Sequence, residues 1–272
     1  MEQVKTLNPS PSYGARLSIQ DLKAGIESWR IWTLLGWHDI RLRYRRSVLG
    51  PFWITISMAV MIYTLGTVYA YLFKMDISSY FPHLACGMII WNFFSTLTME
   101  CVDGFTENAH LIKQIKLPFS TYVLRTVMRN VFIFCHNLPA VLPILFFYHV
   151  PVNVLAFIGG VALFIGIAFV YGMALAMLGS RYRDIKQLVQ SLLQIIFYLT
   201  PIMWMPHMLP DRFQFVITLN PVQQMIELIR APLLGHAPSL FTWGYTSTLL
   251  VVGASFLLFL LNKSRHRIPF WV

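Results

Sequence analysis

From residue 130 to residue 180 the chain runs for 51 residues without a charged side chain. Four further uncharged runs, 47–73, 77–99, 187–210 and 231–262, hold 27, 23, 24 and 32 residues. Crossing about 30 Å of hydrocarbon at 1.5 Å of rise per residue takes about 20 apolar residues. Each shorter run therefore suffices for one span and the longest for two, folding back at Val150-Pro151-Val152-Asn153. The pattern predicts an all-α polytopic integral membrane protein with six transmembrane helices, near 50–73, 82–102, 128–149, 153–179, 187–205 and 243–262. Only 12% of residues are charged, against about 25% in soluble domains. That excludes an ordinary cytosolic enzyme and any disordered or fibrous class.

The sign of the few charges gives an orientation. The chain holds 21 Lys and Arg against 11 Asp and Glu. With both termini inside, only Lys74, Arg212 and Arg230 fall outside, a positive-inside pattern. The basic excess thus belongs to cytoplasmic loops and not to a nucleic-acid site. No cleavable signal peptide is expected, since the first apolar run starts near residue 50 and residues 1–14 are polar. Cys86, Cys101 and Cys135 lie in or beside apolar runs without CxxC spacing, and read as buried small hydrophobes with no disulfide.

The segments between spans divide the rest. Residues 1–17 form a polar extension, 18–49 an interface helix with a basic segment, 50–262 the six-span domain and 263–272 a cytoplasmic tail. Over 18–35, Ser18 and Asp21 form a capping box, and Ile19, Leu22, Ile26, Trp29 and Trp32 share one helical face opposite Lys23, Glu27 and Arg30. Such a helix lies flat in the cytoplasmic interface; the alternative is an arm packed on the protein itself. Residues 107–118 read as a short polar helix stopped by Pro118. Residues 206–235, outside, read as two re-entrant or interfacial half-helices, with a start at Asn220-Pro221 and a stop at Gly235.

Chemistry of several kinds is missing. There is no Gly-Lys pair for a phosphate-binding loop, no HExxH, no GxSxG and no metal-spaced Cys/His cluster. No metal site and no catalytic residue is expected. The histidines are scattered polar handles, with His136 a satisfied core histidine. No carboxylate falls at a membrane midplane, which argues against an ion-driven carrier. Energy for any uphill transport must come from another subunit. Two polar stripes stand out instead. Trp53, Ser57, Thr64, Thr67 and Tyr71 share one face of the first span, and Gln187, Ser191, Gln194 and Tyr198 one face of the fifth. Such groups are costly against lipid, so both stripes should face protein or water.

The run Trp37-His38-Asp39-Ile40-Arg41-Leu42-Arg43-Tyr44-Arg45-Arg46-Ser47-Val48-Leu49-Gly50-Pro51-Phe52-Trp53 resembles the motif that leads into the first span of type-2 ABC exporter permeases for polysaccharides. Asn108-Ala109-His110-Leu111-Ile112-Lys113 with Pro118 resembles that family's coupling segment. Arg181-Tyr182-Arg183-Asp184-Ile185 resembles its second cytoplasmic loop, and Tyr198-Leu199-Thr200-Pro201-Ile202 with Asn220-Pro221 its outer region. The likeness covers roughly residues 30–262 and is nearest to the O-antigen branch, with capsule and teichoic acid permeases as relatives.

What the resemblance implies is a homodimer of six-span subunits in the inner membrane, joined to two ATPase chains. ATP and Mg would sit on that partner, and this chain would bind no cofactor. The substrate would be a glycan on an undecaprenyl-type lipid, passing through the dimer interface. The two stripes would line its path; the other reading is that they join neighbouring helices. Arg41, Arg43, Arg45 and Arg46 would meet the lipid-linked pyrophosphate, or else anchor topology and anionic membrane lipid. His110, Leu111, Ile112, Lys113, Ile115 and Lys116 would dock the ATPase, with Leu111, Ile112 and Ile115 as an apolar knob, or else form a solvated loop. Competing functions are a drug or small-lipid exporter permease, a non-transporting scaffold, and a membrane glycosyltransferase, for which Asp39, Glu100 and Asp103 are too few.

Overall fold

The computed structural model describes residues 11–272, with side chains from residue 16 onward. The first ten residues of the polar extension lie outside the described residues. Among the described residues there are twelve α-helices and no strand. Five helices are long and apolar enough to cross a membrane: α3 (Phe52–Leu72), α4 (Ile77–Val102), α6 (Phe119–Phe147), α7 (Val154–Arg181) and α11, whose helical core is Leu240–Ser264. The chain is a multi-pass membrane protein. Around these stand α1 (Pro11–Glu27), α2 (Trp29–Arg43), α5 (Ala109–Gln114), α8 (Ile185–Leu199), α9 (Gln214–Leu219), α10 (Pro221–Leu233) and α12 (Ile268–Trp271).

The fifth expected span, 187–205, is the shorter helix α8. Its 15 residues reach about 22 Å at 1.5 Å each. Pro201 disfavours helical backbone at Thr200, which is extended (φ −96°, ψ 131°), and the helix stops there. The chain still crosses. Gly179 at the end of α7 lies against Val102, whereas Gly159 near its start lies against Trp243 of α11. Residues between α7 and α11 must therefore run from one end of the bundle to the other. Helix α8 covers that distance, from Lys186 beside Asp103 toward Pro201, which lies beside His83 of α4. The residues after it form a hairpin, in which two 3-10 turns and α9 lead to α10, which is buried along most of its length among α4, α7 and α11. Asn220 accepts from the amides of Val222 and Gln223, Pro221 takes the first helical position, and Gly235 (φ +87°) follows the last turn. Only glycine adopts that φ without strain.

Two starts differ from expectation. Helix α6 begins at Phe119 rather than near 128, because Arg125 and Arg129 are neutralised within the bundle and do not end the span. Helix α1 begins at Pro11, so Ser18 is an interior position rather than an N-cap. Ser18 and Asp21 are buried, while Ile19, Ile26 and Trp29 of the apolar face are exposed. The helix is an arm packed on the protein: its small and polar face, with Leu22, docks on α6 and α11, and Ile19 and Ile26 stay outward.

Lipid chains are as apolar as leucine, so close packing has to hold such a bundle together. Phe93 of α4 stacks between Phe134 of α6 and Phe164 of α7, with ring centroids 4.9 Å away on both sides. Close approach supplies the rest. A Cβ on Gly160 of α7 would lie 2.3 Å from the Leu228 carbonyl oxygen, so only glycine lets α10 seat there. Gly36 of α2 likewise faces the α6 backbone at Arg125 and Arg129.

Candidate functional site

Helix α3 packs on α4 and α6, and α8 packs on α4 and α7, so α4 stands between them. Met58, Ile62, Gly66 and Ala70 form the buried face of α3. Trp53, Ser57, Thr64, Thr67 and Tyr71 fall on its other side, and all five are exposed. Helix α8 buries Val189 and Leu193 against Trp91, Phe94 and Met99, leaving Gln187, Ser191, Gln194 and Tyr198 exposed. Gln190, absent from the sequence reading, is exposed on α8 as well. The hydroxyls of Ser57 and Thr67 bond back to the carbonyls of Trp53 (2.7 Å) and Tyr63 (2.8 Å). Those two groups tolerate lipid. The α8 glutamine amides, with four hydrogen-bonding positions each, have no such local remedy.

At the end of the bundle that carries α1 and the C-terminal residues, charges gather. Arg129 bridges Glu100 (2.8 Å) and Asp39 (3.3 Å). Arg125 grips Asp39 with two nitrogens, at 2.6 and 2.8 Å, and reaches Asn108 at 3.0 Å. Arg43 meets Glu100 at 3.4 Å. This network ties α2, α4 and α6 to the loop before α5. Sequence reasoning treated Arg125 and Arg129 as topology signals and Glu100 and Asp39 as stray carboxylates. The available signal was Arg125 and Arg129 four residues apart, on one helical face. Of the basic quartet, Arg43 is thus partly engaged, while Arg41, Arg45 and Arg46 are exposed.

The short α5 divides the proposed knob. Leu111 and Ile112 are half-buried against the protein's own core, so they do not project. Ile115, 48% exposed, is the apolar side chain that does, flanked by the exposed His110, Lys113 and Lys116. Asp21 of α1 fixes this region from behind: its carboxylate accepts from the Phe119 and Ser120 amides (3.0 and 3.1 Å), capping α6 from another helix, and pairs with Arg265 at 3.3 Å. A groove of about 480 Å³ runs between α1, the α5–α6 link and the tail. Nearby, Asp103 bonds Lys186 at 2.6 Å and holds that ammonium above its ordinary value.

At the opposite end the structure corrects one assignment. Arg230, counted among the outside charges on a half-helix, is 2% exposed on α10. It pairs with Glu227 at 2.6 Å and donates to the Pro201 carbonyl (2.7 Å) beside His83 Nε2 (3.2 Å). The cause is the re-entrant hairpin, which carries α10 into the bundle; the i, i+3 charge pair within an apolar helix was its trace in the sequence. Cys135, expected to be buried, is exposed on α6, and the deeply buried histidine is His83 rather than His136.

Comparison with known proteins agrees with this arrangement. Residues 31–234 match the ABC-2 type transporter model. An O-antigen export system permease protein RfbA of Klebsiella pneumoniae is 28% identical over 192 residues, covering 69% of this chain and 74% of that protein. The Myxococcus xanthus protein of the same name is 22% identical over 209 residues, covering 73% and 78%. Since the family model spans most of the chain, including the network, the two stripes and the re-entrant hairpin, this protein belongs to the ABC-2 type transporter family.

Proposed function

We propose that this chain is the membrane-spanning permease of an ATP-driven exporter that moves a lipid-linked polysaccharide, of the O-antigen class, across the inner membrane. The family implies an ABC ATPase partner. In this reading that partner is a separate chain carrying ATP and Mg, and the permease works as a homodimer. The end bearing α1, α5, the C-terminal residues and the ionic network faces the cytoplasm, in keeping with its basic surface.

The observation that carries the proposal is the family match together with the uncharged polar stripe on α8, whose amides find no partner on their own helix. Sugar hydroxyls need exchangeable donors and acceptors, and a sliding polymer is better served by neutral groups than by fixed charges. The two relatives described above are named as O-antigen export permeases, which supports the same substrate class.

The test is deletion of the gene in its own host. Surface polysaccharide should disappear while lipid-linked glycan accumulates inside, and the wild-type chain should restore both. Unchanged surface glycan in the deletion strain would refute the proposal. Affinity purification of the tagged chain should also recover an ABC-type ATPase.

A further inference from the structure

A cleft opens between α3, α4 and α6 beneath the end of α2, at the end of the bundle that carries the ionic network. Its volume is about 340 Å³, within the roughly 300–1,000 Å³ that small-molecule sites occupy. Trp53 and Ser57 reach it from α3, Asn92 and Thr96 from α4, Asn137 from α6, and Arg43 from above. Thr96 lies one helical turn from Glu100, so the cleft sits just inside the charged layer.

One group here is unexplained by the fold. Asn137 is 1% exposed. Its Nδ2 reaches Asn92 Oδ1 only at 3.4 Å, and its own Oδ1 has no partner. A buried amide oxygen without a donor is costly, and turning the amide over merely exchanges an unpaired oxygen for an unpaired nitrogen. An unsatisfied amide therefore lies in the wall of the cleft.

The chemistry of the walls narrows that occupant. No carboxylate lines the cleft, which removes any case for a metal ion or an amine. Ile54, Met58, Met61 and Ile133 line part of the wall, but the two amides and two hydroxyls set among them are a poor match to a hydrocarbon tail. Neutral groups that both donate and accept suit a ring bearing hydroxyls, and a flat indole at the rim suits the apolar face of such a ring. The Arg43 guanidinium, held on one side only at 3.4 Å by Glu100, keeps donors free for an anionic oxygen next to the ring.

We propose that this cleft binds a single sugar unit adjoining a phosphate, with Asn92, Asn137 and Thr96 on its hydroxyls, Trp53 on its face and Arg43 on the phosphate. The inference rests on the polysaccharide-export reading for its place in transport, but its chemistry is tested without transport.

The experiment uses the full-length chain in lipid nanodiscs. The exposed Cys135 is replaced (Cys135→Ser) and a reporter thiol is introduced by Ser57→Cys, a lining position whose hydroxyl is turned to the Trp53 carbonyl and has no part in the proposed contacts; Cys86 and Cys101 are buried. The labelling rate with a charged, water-soluble maleimide is measured with N-acetylglucosamine 1-phosphate, with inorganic phosphate, or with neither. At sugar phosphate about four times its dissociation constant, mass action leaves about one site in five open, so labelling should slow about fivefold. Inorganic phosphate at equal ionic strength should leave the rate within about a factor of two of the unprotected one, its occupancy being lower by the same mass action. Asn137→Leu should abolish protection while the thiol still reacts, and the milder Asn92→Ala, at a partly exposed position, should weaken it. A thiol that never reacts, equal protection by inorganic phosphate, or protection undiminished in both variants would each overturn the assignment. Should the gene deletion leave surface glycan unchanged, the export reading fails instead; export intact with no protection here refutes the cleft alone.

Discussion

The buried pair on α10 allows a sharp test, because its two members differ in exposure. Arg230 is 2% exposed and Glu227 34%. Removing one partner of a buried ion pair costs about 3–5 kcal/mol when the remaining charge cannot reach water. Glu227→Gln leaves the guanidinium fully buried, with the Pro201 carbonyl as its main remaining acceptor. That change should cost about 3 kcal/mol, the low end of the range, since the glutamine oxygen still accepts a hydrogen bond. Arg230→Met leaves a carboxylate that is one-third exposed and can hydrate, and it leaves the Pro201 carbonyl with His83 at 3.2 Å. The cost there should be about 1–2 kcal/mol, near that of a lost charge-assisted hydrogen bond. The double variant should fall below the sum of the two, because neither charge is then stranded. Unfolding in mixed micelles by rising denaturing detergent, followed by far-ultraviolet circular dichroism, measures all three. If Arg230→Met proves costlier than Glu227→Gln, or if the two effects add within about 0.5 kcal/mol, the latch is not the coupled pair described.

Four further outcomes follow from the same geometry. Asp21→Ala removes the cap that α1 lends to α6 and should destabilise the chain by about 1–2 kcal/mol, with faster amide exchange at Phe119 and Ser120 as the local readout. Leu111→Asp buries a charge against the core and should lower the yield of folded protein. Ile115→Asp with Lys116→Glu should leave yield and melting unchanged but reduce recovery of the ATPase. Reporter fusions after residues 77, 151 and 215 should read periplasmic and those after 112, 184 and 268 cytoplasmic; a cytoplasmic signal at 215 would refute the placement of the re-entrant hairpin.

Long uncharged runs made the bundle legible because lipid leaves the backbone no alternative to internal hydrogen bonding. The same rule hid Arg230. Charge was read as a marker of water, and a cation neutralised by Glu227, Pro201 and His83 breaks that equation without breaking the physics beneath it. Arg125 and Arg129 shortened the expected third helix for the same reason. Their partners, Asp39 and Glu100, are 86 and 29 residues away, and a one-dimensional pattern cannot register such pairing. The interface helix shows a different limit. Its apolar periodicity was plain, but the face that docks is the small and polar one, since Asp21 serves another helix's N-terminus. Nothing local marks a residue as a cap for an element a hundred positions away. On α5, sequence spacing grouped Leu111, Ile112 and Ile115, and only packing against the core separates the first two from the third.

The two polar stripes carry unequal weight. Both were found by the same spacing argument, and both lie on exposed helix faces. A hydroxyl on a helix can bond the carbonyl four residues before it, and Ser57 and Thr67 do so. The Ser57 and Thr67 hydroxyls are then compatible with lipid, and their exposure demands no aqueous neighbour. A glutamine amide has two donors and an acceptor with two lone pairs, and beyond a helix's first turn the backbone around it offers no free amides. Gln187, Gln190 and Gln194 place three such groups along one 15-residue helix, each exposed. Hydrocarbon cannot satisfy them, so α8 needs a wet or protein neighbour that the rest of this chain does not supply. If one helix lines a conduit, the energetics select α8, and α3 joins it where Trp53 and Ser57 border the cleft with Asn92 and Asn137. Replacing all three α8 glutamines by leucine should therefore abolish export while leaving helix content intact. Replacing Thr64 and Thr67 by valine should be tolerated. The opposite ranking, measured as surface glycan at matched protein levels, would move the path to α3.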